Sequence, residues 1–563
     1  MKTRANPTTL LILLFSLVAL GLKLVMAWHA PVGPDEFQHL HSAWCVANGQ
    51  TPYVDFFEHH PPFIYYLLWP VFQFLEPGFN LILAARTLMV VLNAAIVFAT
   101  YELARSSLGR RMAQYAVLLL LSDVLFFEFG FWVITDVPAV LLTLASAWCL
   151  IRAGRTETAR WFFAASALLG MAVFFTPKVI CLGLGVAIWF LIYLVRSENR
   201  EQLSKRLGMA ASFLGGAVVP LGLLLFLIGP GSWPAFWDQN VTLNLSWKAR
   251  HSPLPHVRHM LVTNGPLWIA AGFGLLGMIH RMIARPDTFR RSGPVTLSFA
   301  SLVFGAIVLP VVWQEYFVGL VPFGVIAAGY GLHRLATHLS LDGKFRHAAQ
   351  TNRWLASGSI VLSLILVCAL GYNFLRVGNM LSLISVLQGI VLVALTLFVV
   401  WFAGRQGQRG RVGLAAVAAM LALPVLVQCH LTRTANNFEH RQAIDFVLAR
   451  TGPNDFVFDG YMGYGLFRPH AYKWWFLHDE TQLMLSEHER GQAIVEALSR
   501  HRPKIVLYDC WVEALEPVVH KYIRSHYAPT AMNQIWIAVD STQHDGASLQ
   551  QSLLTTIATS DGS

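Results

Sequence analysis

The sequence predicts an α-helical polytopic membrane protein with about 13 transmembrane helices, followed by a small extracytoplasmic α/β domain at the C-terminus. Hydrophobic residues make up 55% of the 563 residues and charged residues only 13%, whereas soluble domains carry about 25% charged residues. The apolar residues form continuous blocks, and many of these blocks reach the length of about 20 residues that crosses a bilayer. From residue 429 onward the chain is more polar.

The apolar blocks give the predicted spans in chain order. They lie near residues 8–28, 81–104, 112–129, 136–152, 161–176, 178–195, 207–228, 262–280, 294–312, 317–335, 354–373, 381–403 and 411–428. The first block is long for the hydrophobic region of a signal peptide, so we interpret it as an uncleaved span. A shorter aromatic block at 63–75 is predicted to form a helix that lies at the interface or dips into the protein. Residues 1–428 then form a transmembrane domain whose first external loop is 29–80.

The basic residues set the predicted orientation. The net charge is +10, and Lys and Arg concentrate in short loops such as "ARSSLGRR" and "HRMIARPDTFRR". With the spans above, these loops all fall on the same side as Lys2 and Arg4, which the positive-inside rule makes cytoplasmic. We therefore expect a multi-pass protein of the cell (inner) membrane, with its N-terminus in the cytoplasm. The loops also account for the positive charge without a nucleic-acid partner.

The C-terminal segment, 429–563, is predicted to be a small soluble domain outside the cytoplasm. Its helix-like runs are "HRQAIDFVLART" and "GQAIVEALSRH", and its strand-like runs are "DFVFDG", "PKIVLYD" and "QIWIAVD". Mixed runs of this kind are typical of an α/β fold, and the length is within the range of ordinary domains.

The first external loop concentrates charge and histidine beside the membrane. The stretch "GPDEFQHLHSAWCVANGQTPYVDFFEHHPP" occupies residues 33–62 and contains Asp35, Glu36, His39, His41, Asp55, Glu58, His59 and His60. Such groups are costly next to lipid and tend to mark a site. Pro34 suits the first turn of a helix, where Asp35 and Glu36 would meet the positive end of the helix dipole.

Three further charged groups are predicted at the same external face. Asp136 opens the fourth span, Lys178 is a basic residue on the side that lacks basic loops, and Arg86 lies near the external end of the second span. Carboxylates can act as a general base or bind a metal ion, and cations can neutralise a phosphate. An enzyme with a lipid phosphate as its leaving group needs both. Each residue also has a simpler interpretation: a helix cap for the acids, a headgroup contact for Lys178, and a structural ion pair for Arg86.

The first loop resembles that of membrane glycosyltransferases with the C-type fold, in particular the lipid A aminoarabinose transferases and the protein O-mannosyltransferases. The resemblance rests on the Asp-Glu pair, on "NGQTPYVDF" and on "FEHHPPFIYYL", and it covers roughly residues 8–335. It implies a polyprenyl-phosphate sugar donor. It also implies transfer of the sugar, usually with inversion, to a lipid, glycan or protein acceptor on the outer face of the membrane.

The resemblance also implies roles for individual residues. Asp35, Glu36 and Asp136 correspond to acidic residues of the family's site and are the predicted catalytic residues. Glu58 corresponds to a Glu in an aromatic-Glu-x-Pro segment of the aminoarabinose transferases, and Tyr316 resembles a Tyr near the donor phosphate.

Two departures from the family concern the phosphate. Gln38 and His59 stand where the aminoarabinose transferases carry basic residues. The predicted substrate-binding residues therefore come from several segments of the chain. They are Glu58, His59, His60, Lys178, Arg86, Arg258 and Tyr316.

A divalent cation (Mg²⁺, Mn²⁺ or Zn²⁺) is compatible with Asp35, Asp136 and His39 as ligands, although no spacing demands one. No organic cofactor is expected. Expected partners are the lipid-linked donor, the acceptor and membrane lipids.

Two other classes of function stay open at this point. A transporter or flippase for a lipid-linked sugar would show internal repeats and charges near the bilayer midplane, and a membrane-anchored binding or sensor protein would use mainly the C-terminal domain.

Overall fold

The computed structural model describes residues 7–195, 203–246, 252–309, 313–341, 424–425, 427–461, 463–532 and 534–539. Helices of the membrane part are α1 (Pro7–His29), α2 (Pro34–Ala47), α3 (Phe63–Phe74), α4 (Phe79–Ser107), α5 (Arg110–Ser122), α6 (Val124–Phe129), α7 (Asp136–Thr156), α8 (Ala159–Val173), α9 (Val179–Val195), α10 (Leu203–Ile228), α11 (Trp233–Trp237), α12 (Leu243–Ser246), α13 (Leu254–Ala284), α14 (Phe289–Val308) and α15 (Leu320–Leu341). The predicted spans 354–373 and 381–403, and most of 411–428, lie outside the described residues.

Long apolar helices confirm a polytopic membrane protein. Within the described ranges, seven helices are long and apolar enough to cross a membrane by length and composition, namely Ile12–His29, Phe79–Ser107, Asp136–Thr156, Ser204–Ile228, Thr263–Ala284, Pro286–Val308 and Gln314–Arg334. Helices α8 and α9 lie at two more predicted spans, but they are shorter. The helix predicted at residues 63–75 is present as α3. Phe74, at its C-terminal end, is 84% exposed.

The predicted span 112–129 is wrong as one continuous helix. It breaks at Asp123, whose extended backbone separates α5 from α6 and whose carboxylate accepts a hydrogen bond from the Phe126 amide at 2.8 Å. Aspartate is common at the N-cap position because its side chain accepts a hydrogen bond from a backbone amide that has no partner inside the helix. Lys23 of α1 reaches the same place and donates to the Phe126 carbonyl at 2.7 Å. Polar side chains thus satisfy the backbone groups that the break exposes.

The long helices approach one another closely where small residues face a neighbour. Helix α8 packs between α7 and α10, α9 packs on α14, and α13 packs on α15. Gly274 of α13 lies directly against the Ala327 backbone of α15, so that a Cβ atom there would overlap with the Ala327 carbonyl group. Small residues are typical of such crossings in membranes, where close packing provides much of the attraction between helices.

The C-terminal segment folds as an α/β unit, as predicted. Its helices are α16 (Phe438–Arg450), α17 (Asp479–Met484), α18 (Glu487–Arg490), α19 (Gln492–His501), α20 (Cys510–Glu513) and α21 (Pro517–His526), and its strands are β1 (Val457–Asp459), β2 (Ile505–Leu507), β3 (Tyr527–Pro529) and β4 (Ile535–Ala538). The four strands form one sheet in the order β1-β2-β4-β3, with β1 parallel to β2 and the other pairs antiparallel. All three strand-like runs found in the sequence contain a strand.

This unit is docked on the first loop of the membrane part. Its residues Leu466 and Phe467 are buried in the same apolar cluster as α2 and α3. Hydrogen bonds cross the boundary: His41 Nδ1 lies 2.9 Å from the Leu466 carbonyl, and Trp475 Nε1 donates to the Phe57 carbonyl at 3.2 Å. Residues of both parts therefore surround the start of α2.

The crossing of α13 and α15 can be tested with two neighbouring glycines. We expect Gly274→Ala to destabilise the protein by about 1–3 kcal/mol, because the added methyl group overpacks the contact with Ala327. The matched control is Gly272→Ala on the same helix, where a Cβ atom would meet nothing within 4 Å. Thermal unfolding in detergent measures both variants, and equal unfolding temperatures would contradict the close crossing.

Candidate functional site

The first turn of α2 presents two adjacent carboxylates at the external end of the predicted membrane part. Pro34 occupies the first helical position, and Asp35 and Glu36 follow it. Glu36 Oε2 accepts a hydrogen bond from the Gly33 amide at 3.0 Å, which closes the start of the helix. Because consecutive residues on a helix point about 100° apart, Asp35 and Glu36 face different surroundings.

Glu36 faces inward and forms an ion pair with Arg86 of α4. Arg86 Nη2 lies 2.6 Å from Glu36 Oε2 and Nε lies 2.8 Å from Oε1, and both side chains are fully buried. The remaining N–H groups of Arg86 donate to the carbonyls of Ala27, Ala30 and Pro31, so that all five donors of the guanidinium group are used. These contacts favour structural roles for Arg86 and Glu36 over the predicted roles in substrate binding and catalysis.

Asp35 faces outward and remains partly exposed. Its Oδ1 accepts a hydrogen bond from the Tyr461 hydroxyl of the C-terminal unit at 2.8 Å. Burial raises the pKa of the Asp35 carboxyl above its ordinary value, while the Tyr461 hydrogen bond and the positive charge of Lys178 oppose this rise. Oδ1 of Asp35 is thus held by a hydrogen bond, while the residue as a whole remains partly exposed.

Lys178 and Asp136 meet Asp35 at the same place. Lys178 Nζ lies 2.9 Å from Asp136 Oδ2 and 3.5 Å from the centre of the Tyr316 ring. Both charges act on Asp35. The structure therefore brings together Asp35, Asp136, Lys178 and Tyr316, which come from four separate segments of the chain.

The sequence analysis missed a third acidic residue of this cluster. Glu315 precedes Tyr316 and interacts electrostatically with Asp35, Lys178 and Asp136. Its signal in the sequence was an acidic residue beside an apolar span on the predicted external side, in "QEYFVGL".

Glu58 organises the turn that leads the chain back toward the membrane. Its Oε1 accepts hydrogen bonds from Gln38 at 2.8 Å and from the amides of His59 and His60 at 2.9 and 3.0 Å, and its Oε2 accepts from Ser42 at 2.6 Å. Glu58 is fully buried. Gln38, which stands where a basic residue was expected, thus serves as a donor to this carboxylate.

The three histidines near Glu58 are unsuited to act as cations for a phosphate. Burial lowers the pKa of His60 and of His39 to about 3, and burial also lowers the pKa of His59. All three imidazoles are then neutral at physiological pH. Neutral rings do not support the expectation that His59 and His60 share the phosphate charge, whereas the structure places the ammonium group of Lys178 beside Asp136.

The group of side chains whose spacing could hold a metal ion differs from the predicted one. Within the described part of the chain, the group whose ligand atoms lie within 4.8 Å of one another is Glu58, His59 and His60. The predicted ligands Asp35, Asp136 and His39 do not form such a group. His39 instead packs edge-to-face on His60, with ring centres 4.8 Å apart, and its buried Nδ1 has no hydrogen-bond partner among the described residues.

The predicted substrate-binding residue Arg258 belongs to the first turns of α13. It is exposed on α13, and no hydrogen bond or ion pair among the described residues joins it to Asp35, Asp136 or Glu315. Its predicted role in binding substrate therefore has no support in the geometry.

The C-terminal unit adds residues that the sequence analysis did not single out. Besides Tyr461, His478 acts electrostatically on Asp35 and forms an ion-pair contact with Glu480 at 2.7 Å. The aromatic run "DGYMGYGLFRPHAYKWWF" was visible in the sequence, but its contact with the first loop spans more than 400 positions and has no local signature. The site is shared between the two parts of the chain.

Comparisons with known proteins agree with this architecture. Residues 59–224, less than a third of the chain, match the family described as dolichyl-phosphate-mannose-protein mannosyltransferase. No curated protein sequence matches the chain.

Three solved structures are similar over most of the chain. ArnT from Cupriavidus metallidurans bound to undecaprenyl phosphate is 15% identical, with 95% of this chain and 99% of that chain covered and a TM-score of 0.61. The oligosaccharyltransferase AglB from Archaeoglobus fulgidus, in complex with an inhibitory peptide and a dolichol-phosphate, is 12% identical, with 94% and 74% covered and a TM-score of 0.54. The A. fulgidus oligosaccharyltransferase in complex with Zn and sulfate is 11% identical, with 94% and 72% covered and a TM-score of 0.52.

These likenesses confirm the predicted C-type fold of membrane glycosyltransferases. The protein is a multi-span membrane protein that shares this fold along nearly its whole length.

The Glu36–Arg86 pair can be tested by removing one partner. We expect Arg86→Met to cost about 3–5 kcal/mol, because it leaves a buried carboxylate without its counter-charge. The control is Arg105→Met, which breaks an ion pair with Glu102 in which the Arg105 side chain is 52% exposed and which we expect to change nothing measurable. Yield and thermal unfolding in detergent report both variants. A stable Arg86→Met protein would contradict the structural role.

Proposed function

We propose that this protein is an integral membrane glycosyltransferase. It transfers a hexosyl or pentosyl group from a polyprenyl (undecaprenyl-type) phosphate to a lipid, glycan or protein acceptor, with inversion at the sugar carbon. The main support is the meeting of Asp35, Lys178 and Asp136 at one partly exposed place. A carboxylate that can take a proton and an ammonium group that can face a phosphate are the two groups that such a reaction requires.

The chemistry proceeds as a single displacement. The acceptor oxygen attacks the anomeric carbon and forms the new glycosidic bond, while the bond between that carbon and the phosphate oxygen breaks. The electron pair of the broken bond leaves with the polyprenyl phosphate, and the acceptor proton moves to Asp35. Attack from the face opposite the phosphate inverts the configuration. Asp35 Oδ2 is the proton acceptor, since Oδ1 is held by Tyr461.

Lys178 stabilises the charge that builds up on the departing phosphate. Its ammonium group is held by Asp136 on one side and by the Tyr316 ring on another, so that its position is fixed before the donor binds. A charge that is already in position needs no rearrangement during the reaction, which is what makes such groups effective. Asp136 is accordingly a positioning residue for Lys178.

A divalent cation is part of the proposal at Glu58, His59 and His60. One carboxylate and two neutral imidazoles are a donor set that zinc accepts, and the lowered pKa of His60 keeps its ring neutral and ready to ligate. When bound, the ion would supply positive charge beside the first loop. The A. fulgidus relative was solved with Zn and sulfate.

The donor, acceptor and orientation are drawn from the comparisons and from the loop charges. ArnT was solved with undecaprenyl phosphate and AglB with a dolichol-phosphate and an inhibitory peptide, so a lipid phosphate carrier is the proposed donor. The acceptor is a molecule of the cell envelope, with lipid A among the candidates. The N-terminus lies in the cytoplasm, and the first loop and the C-terminal domain, 429–563, lie outside it.

The central role of Asp35 can be tested by replacing its carboxylate. We expect Asp35→Asn to lower transfer by about 10²- to 10⁴-fold, the contribution typical of a general base. The assay follows transfer of label from a radiolabelled polyprenyl-phosphate sugar to acceptors in proteoliposomes. Asp445→Asn, which changes an exposed carboxylate on α16, is the control and should keep wild-type activity. Full activity of Asp35→Asn would rule out the assignment. Movement of labelled lipid across the membrane without transfer would indicate a flippase instead.

The role of Lys178 predicts a different pattern. We expect Lys178→Met to lower the turnover rate about 100-fold, because charge on the leaving phosphate then lacks its partner. Lys205→Met is the matched control, since Lys205 forms an ion pair with Glu157 at the predicted cytoplasmic side. The same label-transfer assay measures both. Unchanged turnover in Lys178→Met would show that another group carries the phosphate charge.

A further inference from the structure

The C-terminal unit inserts one side chain into the proposed active site. Tyr461 follows β1, and its hydroxyl group donates to Asp35 Oδ1 at 2.8 Å. This contact joins residues 426 positions apart. The C-terminal unit therefore makes a direct hydrogen bond to the proposed catalytic carboxylate.

The segment that carries Tyr461 is held from both ends. The Tyr461 amide donates to Asp509 Oδ2 at 2.8 Å, and the Gly463 amide donates to Asp459 Oδ2 at 2.8 Å. The Tyr461 ring packs edge-to-face on Phe476 and on Trp511, with ring centres 4.2 and 4.9 Å apart. The hydroxyl group is therefore fixed by contacts of its own domain before any contact with α2 is counted.

The same segment lies directly on α2, next to Asp35. Gly463 has a backbone φ of +75°, and a Cβ atom at this position would overlap with the Phe37 side chain. Only glycine combines this backbone conformation with so close an approach. Phe37 is two residues from Asp35, so the position of the segment is tied to the first turn of α2.

We propose that Tyr461 is a positioning residue for Asp35: its hydroxyl group holds Oδ1 and thereby directs Oδ2 toward the acceptor. This inference rests on the proposed function and extends the site to the C-terminal domain. A hydrogen bond to one oxygen restricts rotation of the carboxylate about its terminal bond, which a free side chain explores broadly. The acceptor then meets the second oxygen in one orientation.

The surroundings favour a donor role for this hydroxyl group. Burial raises the pKa of Tyr461 well above its ordinary value, and the nearby charges of Asp35, Glu315 and Glu480 raise it further. Tyr461 thus stays protonated. The other groups that interact electrostatically with Asp35 are Lys178, His478, Asp136 and Glu315. Among the described residues, Tyr461 is the side chain that donates a hydrogen bond to it.

Domain docking is provided by other contacts. The Val32 amide donates to His440 Nδ1 at 3.1 Å, and Trp475 and His41 form the further hydrogen bonds described above. Loss of one hydroxyl group should leave these contacts intact. A role for Tyr461 in docking alone and a role in orienting Asp35 therefore predict different results.

The experiment uses the full-length protein in proteoliposomes with a radiolabelled undecaprenyl-phosphate sugar and acceptor membranes. We expect Tyr461→Phe to lower kcat about tenfold or more, as for loss of a hydrogen bond to a charged group, with KM for the donor changed less than twofold. Tyr472→Phe, which removes a hydroxyl bonded to the Glu489 carbonyl in the same unit, should match the wild type. Both variants should unfold at the wild-type temperature.

The outcomes separate this inference from the proposed function. A wild-type protein without transfer would overturn the proposed function, and the role of Tyr461 with it. An active wild type with an equally active Tyr461→Phe would overturn the inference alone. So would a raised KM with unchanged kcat, because Tyr461 would then contact the donor, and so would a fall in kcat that is matched by a lowered unfolding temperature.

Discussion

The buried ion pair between Glu36 and Arg86 is the interaction on which the arrangement of the site depends. It joins α2 to α4 and, through the Ala27, Ala30 and Pro31 carbonyls, to the end of α1. The Val133 amide also donates to Glu36, at 3.1 Å, which ties in the segment before Asp136. A buried charge is tolerated only when every partner is in place. The pair therefore fixes how the end of α1, α2, α4 and the segment before Asp136 are arranged. This arrangement sets the direction in which the Asp35 side chain points.

Three carboxylates of the first loop differ because their surroundings differ. Glu36 and Glu58 are fully buried and surrounded by donors, so they hold backbone and side chains in position. Asp35 is partly exposed and accepts one side-chain hydrogen bond, from Tyr461. Glu36 accepts two hydrogen bonds on each oxygen, whereas Asp35 Oδ2 has no hydrogen-bond donor among the described residues and is the proton acceptor in the proposed reaction. The sequence neighbours Asp35 and Glu36 thus have different surroundings because they point in different directions.

The site is built from segments that are distant along the chain. Asp136 begins α7, Lys178 immediately precedes α9 and Glu315 precedes α15, and Tyr461 comes from the C-terminal unit. Each segment contributes one group. The shared fold with ArnT and AglB extends over both parts of the chain, which agrees with a site that needs the two parts together.

The sequence alone determined the membrane class, most of the described helices and the strands of the C-terminal unit, and it singled out Asp35, Asp136 and Lys178 as candidates for the site. These depend on local signals: apolar length, alternation, and charge where charge is costly. The tertiary structure decided what these signals leave open. It broke the helix at Asp123, paired Glu36 with Arg86 in a buried ion pair, lowered the pKa of His39, His59 and His60 by burial, and brought Tyr461 to Asp35. Each of these results depends on which distant groups share a low-dielectric space, and the order of residues along the chain does not encode that locally.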